Sequence, residues 1–358
     1  MYERAHIGRM GGYIPGTQPR IGAIKLNTNE NPFPPGPRVM AQLADVPARV
    51  LQRYPDPLAE EFRCAAARRH KLLPNQVVAT NGGDELLRLV LTTFVDPGRC
   101  VGVTAPSYGV YSVLAAVHQA PISAVPLTEA WQLPEDSASR WNADGAQLAI
   151  VTNPHAPSGM LTPIEAIERL AASFRGVLLV DEAYVDFVDP ALGHDTTKLV
   201  AQHPNLLLLR TLSKGYSLAG LRLGYGLGNA ALVAPILNKT KDSYNIDSIA
   251  QLLGAAALDD SVHAKASWHY VREERRLLTK ALSKLGFVVG PSEANFVLAL
   301  VPEAPGWRNA RDLHAKLEEG RIYVRWFDEN RLRDQLRISI GTSEENQAFV
   351  NAIEELSR

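Results

Sequence analysis

The chain has 358 residues, 46% of them hydrophobic and 21% charged, and a formal net charge of −1. That length accommodates two domains with a substantial core, and the balanced charge excludes the basic footprint of a nucleic-acid or anionic-membrane binder. Two cysteines, Cys64 and Cys100, stand in neither a CxxC pair nor a His cluster, which argues against a disulfide framework and against a zinc site.

The first ten residues hold no apolar h-region, and no apolar run approaches the ~20 residues that cross a bilayer. A cytoplasmic protein without a metal is therefore expected. Residues 1–40 are rich in Gly, Pro and Asn, up to Asn31-Pro32-Phe33-Pro34-Pro35-Gly36-Pro37. Such a segment forms neither a regular helix nor a central strand. Its scattered Tyr, Ile, Leu and Phe read as an ordered arm lying on something.

Gln76-Val77-Val78-Ala79-Thr80 reads as a strand and 84–94 as a helix, followed by a strand at 100–103 and a helix at 108–118. Leu148-Ala149-Ile150-Val151, Val177-Leu178-Leu179-Val180 and Leu206-Leu207-Leu208-Leu209 are short continuous apolar runs bounded by turn residues. Strands buried on both faces of a parallel sheet look like this. With helices between them, as at 163–173, the pattern is α/β. Residues 246–285 read as largely helical. Strands at 287–289, 296–300, 322–324 and 336–340, with helices at 307–319 and 344–356, then suggest a smaller α/β domain with an antiparallel component. The expected organisation is an arm over 1–28, a large domain over 29–245 and a small domain over 246–358.

Chemistry concentrates at the ends of the apolar runs. Thr211-Leu212-Ser213-Lys214-Gly215 follows one of them directly, with Arg222 further on. A lysine just beyond a strand end sits at the mouth of an α/β sheet, where ligands bind. Thr211 and Ser213 bring hydroxyls for phosphate oxygens. A lone Ser-Lys pair would read as a surface loop; the whole string does not. Asp181, directly after Val177–Val180, faces a desolvation cost that a cationic partner such as a pyridinium would relieve. Taken alone it also fits a helix N-cap. Tyr184 lies three residues on. Asn153-Pro154-His155-Ala156-Pro157-Ser158-Gly159 is a tight, fixed turn after a strand. Asn81-Gly82-Gly83-Asp84 lets a backbone approach a phosphate at a helix N-terminus, although a capped helix explains it equally well. Tyr108 stands at another strand-to-helix turn, where stacking on a flat ligand and packing in the core both fit.

Jointly these strings resemble the fold-type-I pyridoxal-phosphate (PLP) aminotransferases, and among them most of all the histidinol-phosphate aminotransferase family. The resemblance runs in order along nearly the whole chain. It includes Leu26-Asn27-Thr28-Asn29-Glu30-Asn31-Pro32, Arg53-Tyr54-Pro55-Asp56-Pro57, Pro106-Ser107-Tyr108-Gly109, Asp181-Glu182-Ala183-Tyr184, the Lys214 string and Leu336-Arg337-Ile338-Ser339-Ile340-Gly341-Thr342.

It implies an α/β large domain with a mostly parallel sheet flanked by helices, plus a smaller α/β domain. It implies that Lys214 forms the internal aldimine with PLP, that Asp181 pairs with the pyridine nitrogen, and that Asn153 and Tyr184 hold the ring hydroxyl. Tyr108 would stack on the ring, and the phosphate would lie against Gly83, Asp84, Ser213 and Arg222. Tyr54 would reach the phosphate of a neighbouring subunit, which implies a homodimer with shared sites. Arg337 would grip the substrate's anionic group, Arg325 would be a second contact, and Tyr13 would close over the substrate. The implied reaction takes L-histidinol phosphate and 2-oxoglutarate to imidazole acetol phosphate and L-glutamate, in histidine biosynthesis. Aromatic aminotransferases and threonine-phosphate decarboxylases share these motifs and stay open as alternatives, as does a silent PLP-fold binding protein. One departure stands out: the family's usual Asn-Pro-Asn-Asn-Pro-Thr-Gly loop has His155 and Ala156 in place of two asparagines.

Overall fold

The computed structural model describes residues 2–358. Its strands are β1 (Ile24–Lys25), β2 (Val77–Thr80), β3 (Val101–Ala105), β4 (Ile122–Pro126), β5 (Leu148–Thr152), β6 (Val177–Asp181), β7 (Leu206–Thr211), β8 (Gly224–Gly228), β9 (Val288–Val289), β10 (Phe296–Leu300), β11 (Ile322–Tyr323), β12 (Arg325–Trp326) and β13 (Gln335–Ser339).

A seven-stranded sheet runs in the order β2-β8-β7-β6-β5-β3-β4. Neighbouring pairs from β4 to β7 are parallel, whereas β8 is antiparallel to both β7 and β2. The continuous apolar runs are explained by two buried faces. Ala149, Val151, Leu178, Val180, Leu206 and Leu208 pack into one core cluster, and Leu148, Ile150, Leu179, Leu207 and Leu209 into another on the opposite face. Period-2 alternation thus sends successive side chains into two cores rather than into core and water.

The largely helical stretch expected over 246–285 consists of two helices, Ser248–Asp259 and Ser261–Lys284, with Asp260 between them. After them an antiparallel sheet runs β12-β13-β10-β9. The strand expected at 322–324 is not part of it. β11 instead pairs in parallel with β1 of the N-terminal segment, so the arm is held as an edge of structure formed some 300 residues later. The strand that joins the antiparallel sheet is the next one, β12. No helix among the described residues is long and apolar enough to cross a membrane.

Candidate active site

The carboxyl ends of β2, β3, β5, β6 and β7 point the same way, as parallel pairing and the doubly antiparallel β8 between β2 and β7 require. The loops that leave them, the N-terminal arm and the β12–β13 region enclose a cavity of about 780 Å³. Tyr13, Gly83, Asp84, Tyr108, Asp181, Tyr184, Thr211, Ser213, Lys214, Arg222, Arg325 and Arg337 all line it. They come from seven separate stretches of sequence.

At the centre, Lys214 Nζ donates to the Thr28 carbonyl at 2.8 Å. Burial, followed by the nearby Arg337 guanidinium, pulls its pKa down to about 8. A lysine so placed has a far larger neutral fraction near neutrality than an exposed lysine, and nucleophilic chemistry on a carbonyl draws on that fraction. On one side Asp181 is 6% exposed, and desolvation pushes its carboxyl up to about 6 against the pull of hydrogen bonds from Tyr111 and the Ala183 N–H. The carboxylate faces the cavity with no cation bonded to it, the situation a protonated ring nitrogen would relieve.

The corner at the start of the helix Gly82–Phe94 is built from backbone. Thr80 Oγ1 donates to the Gly82 carbonyl at 2.9 Å and closes the turn into the helix Gly82–Phe94. Gly82 has φ +74°, and a Cβ there would come within 2.6 Å of an Arg222 terminal nitrogen. A glycine is therefore needed for both conformation and space. Arg222 reaches back over this helix start and pairs with Asp84 at 3.8 Å. Thr211 and Ser213 share a hydroxyl hydrogen bond of 3.0 Å beside it. N–H groups, a helix N-terminus, hydroxyls and a guanidinium are the groups that can hold a phosphate.

At the opposite end Arg337 is buried, and desolvation lowers its pKa. One terminal nitrogen donates to the Asn27 carbonyl at 2.9 Å, while its Nε has no partner. Phe296 and Phe327 lie 5.3 and 5.4 Å from the guanidinium carbon. Arg325 donates to the Ile14 and Pro15 carbonyls, at 3.0 and 3.3 Å, and so ties down the arm. Tyr13, next to that tie, meets the Tyr108 ring edge-on at 5.4 Å. The buried Ser107 and Thr28 hydroxyls in the cavity wall also have no partner. Unsatisfied polar groups in a cavity that the Arg222 and Arg337 guanidiniums also line fit a polar, anionic ligand.

Asn153, expected at the ring hydroxyl, sits behind this lining. Its side chain is fully buried and does not line the cavity. Its amide donates to the Thr162 carbonyl at 3.1 Å and accepts from the Thr162 N–H at 2.8 Å. The residue pins its own loop shut, and it is Ala156 and Pro157 that face the cavity. His155 is also structural. The Pro106 carbonyl, 3.0 Å from Nε2, can only accept, so Nε2 carries the hydrogen and Nδ1 accepts from Ser158 Oγ at 2.8 Å. Burial holds its pKa down, to about 4.

Tyr54 also lies outside the cavity. It is 81% exposed and stacks on Tyr244 with ring centroids 4.5 Å apart. Three contributors went unassigned in the sequence. Asn29 donates to Tyr184 Oη at 3.1 Å, the Thr28 carbonyl accepts from Lys214, and Tyr111 donates to Asp181 at 2.6 Å. The Asn27-Thr28-Asn29 string signalled the first two; Tyr111, three residues after Tyr108 in an apolar helix, carried no signal beyond core packing.

Residues 21–353 match the model of the family described as aminotransferase class I and II. The chain is 42% identical to histidinol-phosphate aminotransferase 1 of Trichormus variabilis over 100% of this chain and 99% of that one. It is 40% identical to histidinol-phosphate aminotransferase of Geobacter sp. strain M21, over 99% and 98%. The fold is shared with the crystal structure of histidinol-phosphate aminotransferase from Sinorhizobium meliloti in complex with pyridoxal-5'-phosphate. The TM-score is 0.86 at 24% identity, covering 93% of this chain and 90% of that one.

Proposed function

The chain belongs to the class I and II aminotransferases, and from that premise we propose that it transfers the amino group of L-histidinol phosphate to 2-oxoglutarate. The observation that carries this reading is the meeting of Lys214, Asp181 and Arg337, from three distant stretches, around one cavity of about 780 Å³. Relatives of about 40% identity over essentially the full chain bear the name of that activity.

PLP, when bound, supplies an electron sink and a carrier for the amino group. The residues present fit it. Gly83 and Asp84 N–H groups, Ser213, Thr211 and Arg222 would hold its phosphate, with Tyr54 supplied by a partner subunit. Asp181 would hold the ring N–H, Tyr184 the ring hydroxyl, and Tyr108 would stack on the ring. Asn29, through its bond to Tyr184, fixes the phenol's direction. Lys214 would be the covalent attachment point.

Once an incoming amine frees it, Lys214 Nζ would take the proton from the substrate carbon as general base and deliver it, as general acid, to the cofactor carbon that keeps the amino group. Its lowered pKa suits both roles near neutrality. Arg337, with Arg325, grips the phosphate of the amine in one half-reaction and a carboxylate of the oxo acid in the other, since a planar guanidinium matches both anions. Tyr13, carried by the arm that Arg325 ties down, excludes water over the substrate. The large unit over 29–245 would hold the cofactor, while the arm over 1–28 and the unit over 246–358 would close on the substrate. We place the enzyme in the cytoplasm as a homodimer.

The test is glutamate formation by the purified, PLP-loaded protein from histidinol phosphate and 2-oxoglutarate. Turnover is expected. Turnover of phenylalanine but not of histidinol phosphate would overturn the substrate and favour an aromatic aminotransferase. Inertness toward every amine would overturn the reaction.

A further inference from the structure

The geometry points to Tyr111 as a positioning residue that holds the Asp181 carboxylate ionised, so that the proton shared with the cofactor's ring nitrogen stays on the nitrogen. This rests on the proposed pairing of Asp181 with that nitrogen.

Tyr111 is 1% exposed, and its Oη lies 2.6 Å from Asp181 Oδ2 and 2.8 Å from Thr152 Oγ1. An ionised carboxylate only accepts, so the single phenolic hydrogen goes to Asp181. The Thr152 hydroxyl must then donate to Tyr111 Oη. A relay from Thr152 through Tyr111 to Asp181 follows, in which each bond polarises the next. Asp181 Oδ1 takes the Ala183 N–H at 3.1 Å. Each carboxylate oxygen thus has one protein donor and keeps lone pairs for the cavity.

The fold supplies this arrangement economically. Thr152 and Asp181 are register partners across β5 and β6. Tyr108 and Tyr111 lie three residues apart at the start of the helix Val110–His118, with ring centroids 5.5 Å apart and planes at 89°. One helical turn therefore offers one ring to the cavity and one hydroxyl to the carboxylate.

The groups facing Asp181 divide by sign. Asp84 from the helix Gly82–Phe94 and Glu182 beside it both favour its protonated form. Tyr108 and Tyr184 are neutral phenols whose own ionisation burial suppresses. Tyr111 is the side chain that opposes burial and these carboxylates. Without its hydroxyl, the carboxylate would be the stronger base and would draw the proton off the ring.

The experiment uses holoenzyme loaded with PLP labelled with nitrogen-15 in the ring, read by the nitrogen NMR shift across pH 6–8. Asp181→Asn serves as control. Tyr111→Phe is expected to move the signal toward the unprotonated position and to lower kcat about tenfold, the equivalent of one pKa unit, with KM for the amine little changed. Thr152→Val, which keeps the Tyr111 ring, is expected to move it the same way by less, and carries the test if Tyr111→Phe fails to fold. A wild-type signal in both variants, alongside a displaced one in Asp181→Asn, would overturn the role of Tyr111. A wild-type signal in Asp181→Asn would instead overturn the pairing on which the inference rests.

Discussion

Lys214 Nζ bonds the carbonyl of Thr28, 186 residues earlier in the chain, at 2.8 Å. The flanking residues do the same for two other groups of the site: the Asn27 carbonyl takes Arg337 and the Asn29 side chain donates to Tyr184. Three consecutive residues of the N-terminal segment therefore hold Lys214, Arg337 and Tyr184 in one arrangement. The bonds that order Lys214 and Arg337 go to backbone carbonyls, which a ligand can replace without leaving a buried side chain unpaired.

Burial of Lys214 opposes folding in the cofactor-free protein. Below about pH 8 its amine is charged in folded and unfolded chains alike, and the folded state bears the desolvation cost. Between about 8 and 10.5 the unfolded chain alone holds the proton, so the penalty fades as pH rises. Apo Lys214→Met should therefore melt above the apo wild type at pH 7, by roughly 2 °C or more, with the gap closing toward pH 10. A constant gap would contradict the buried-amine account.

Asn153 distinguishes loop closure from cofactor contact. Asn153→Ala removes two hydrogen bonds to the Thr162 backbone. It should cost about 1–3 kcal/mol of stability by leaving that backbone buried and unpaired. The visible spectrum of the loaded protein should keep its pH dependence. A shifted spectral pKa with unchanged stability would restore the ring contact that the motif suggested.

Arg337→Lys keeps the charge and loses the fork. KM for histidinol phosphate and for 2-oxoglutarate should both rise, with kcat/KM falling roughly 10–100-fold. Steady-state kinetics on each substrate separate the cases. An effect on one substrate alone would mean that the two anions do not share this guanidinium.

Tyr54 projects from the surface, stacked on Tyr244. If it completes the site of a second subunit, Tyr54→Ala and Lys214→Ala chains should complement each other. Each alone should be weak or inactive, and mixed dimers formed by co-expression should regain activity, because the site holding Lys214 receives an intact Tyr54. Activity no greater than the sum of the two would place Tyr54 outside the site.

The parallel strands were legible because both faces of the sheet are buried, which leaves a run such as Leu206–Leu209 with no polar position. β8 was not, because it reads Gly-Tyr-Gly-Leu-Gly. Its glycines answer to neighbours rather than to propensity: a Cβ at Gly224 would come 2.8 Å from the Gly82 backbone, and one at Gly228 2.9 Å from Leu207. Motif spacing located the loops of the site, since Gly, Pro and charged residues at strand ends have few other uses. It did not tell which side chains of a loop line the cavity: in the Asn153 loop these are Ala156 and Pro157. Tyr111 was hidden for the converse reason, as an aromatic at helical spacing fits a core equally well until the carboxylate beside it is seen. The pairing of β1 with β11 joins residues too far apart for any local pattern to link them.

The most direct test of the central claim is borohydride reduction of the PLP-loaded protein followed by peptide mapping. The account predicts a pyridoxyl label on Lys214, lost when histidinol phosphate is added before reduction and regained on adding 2-oxoglutarate. A label on another lysine such as Lys25, or one on Lys214 that no amine displaces, would contradict it.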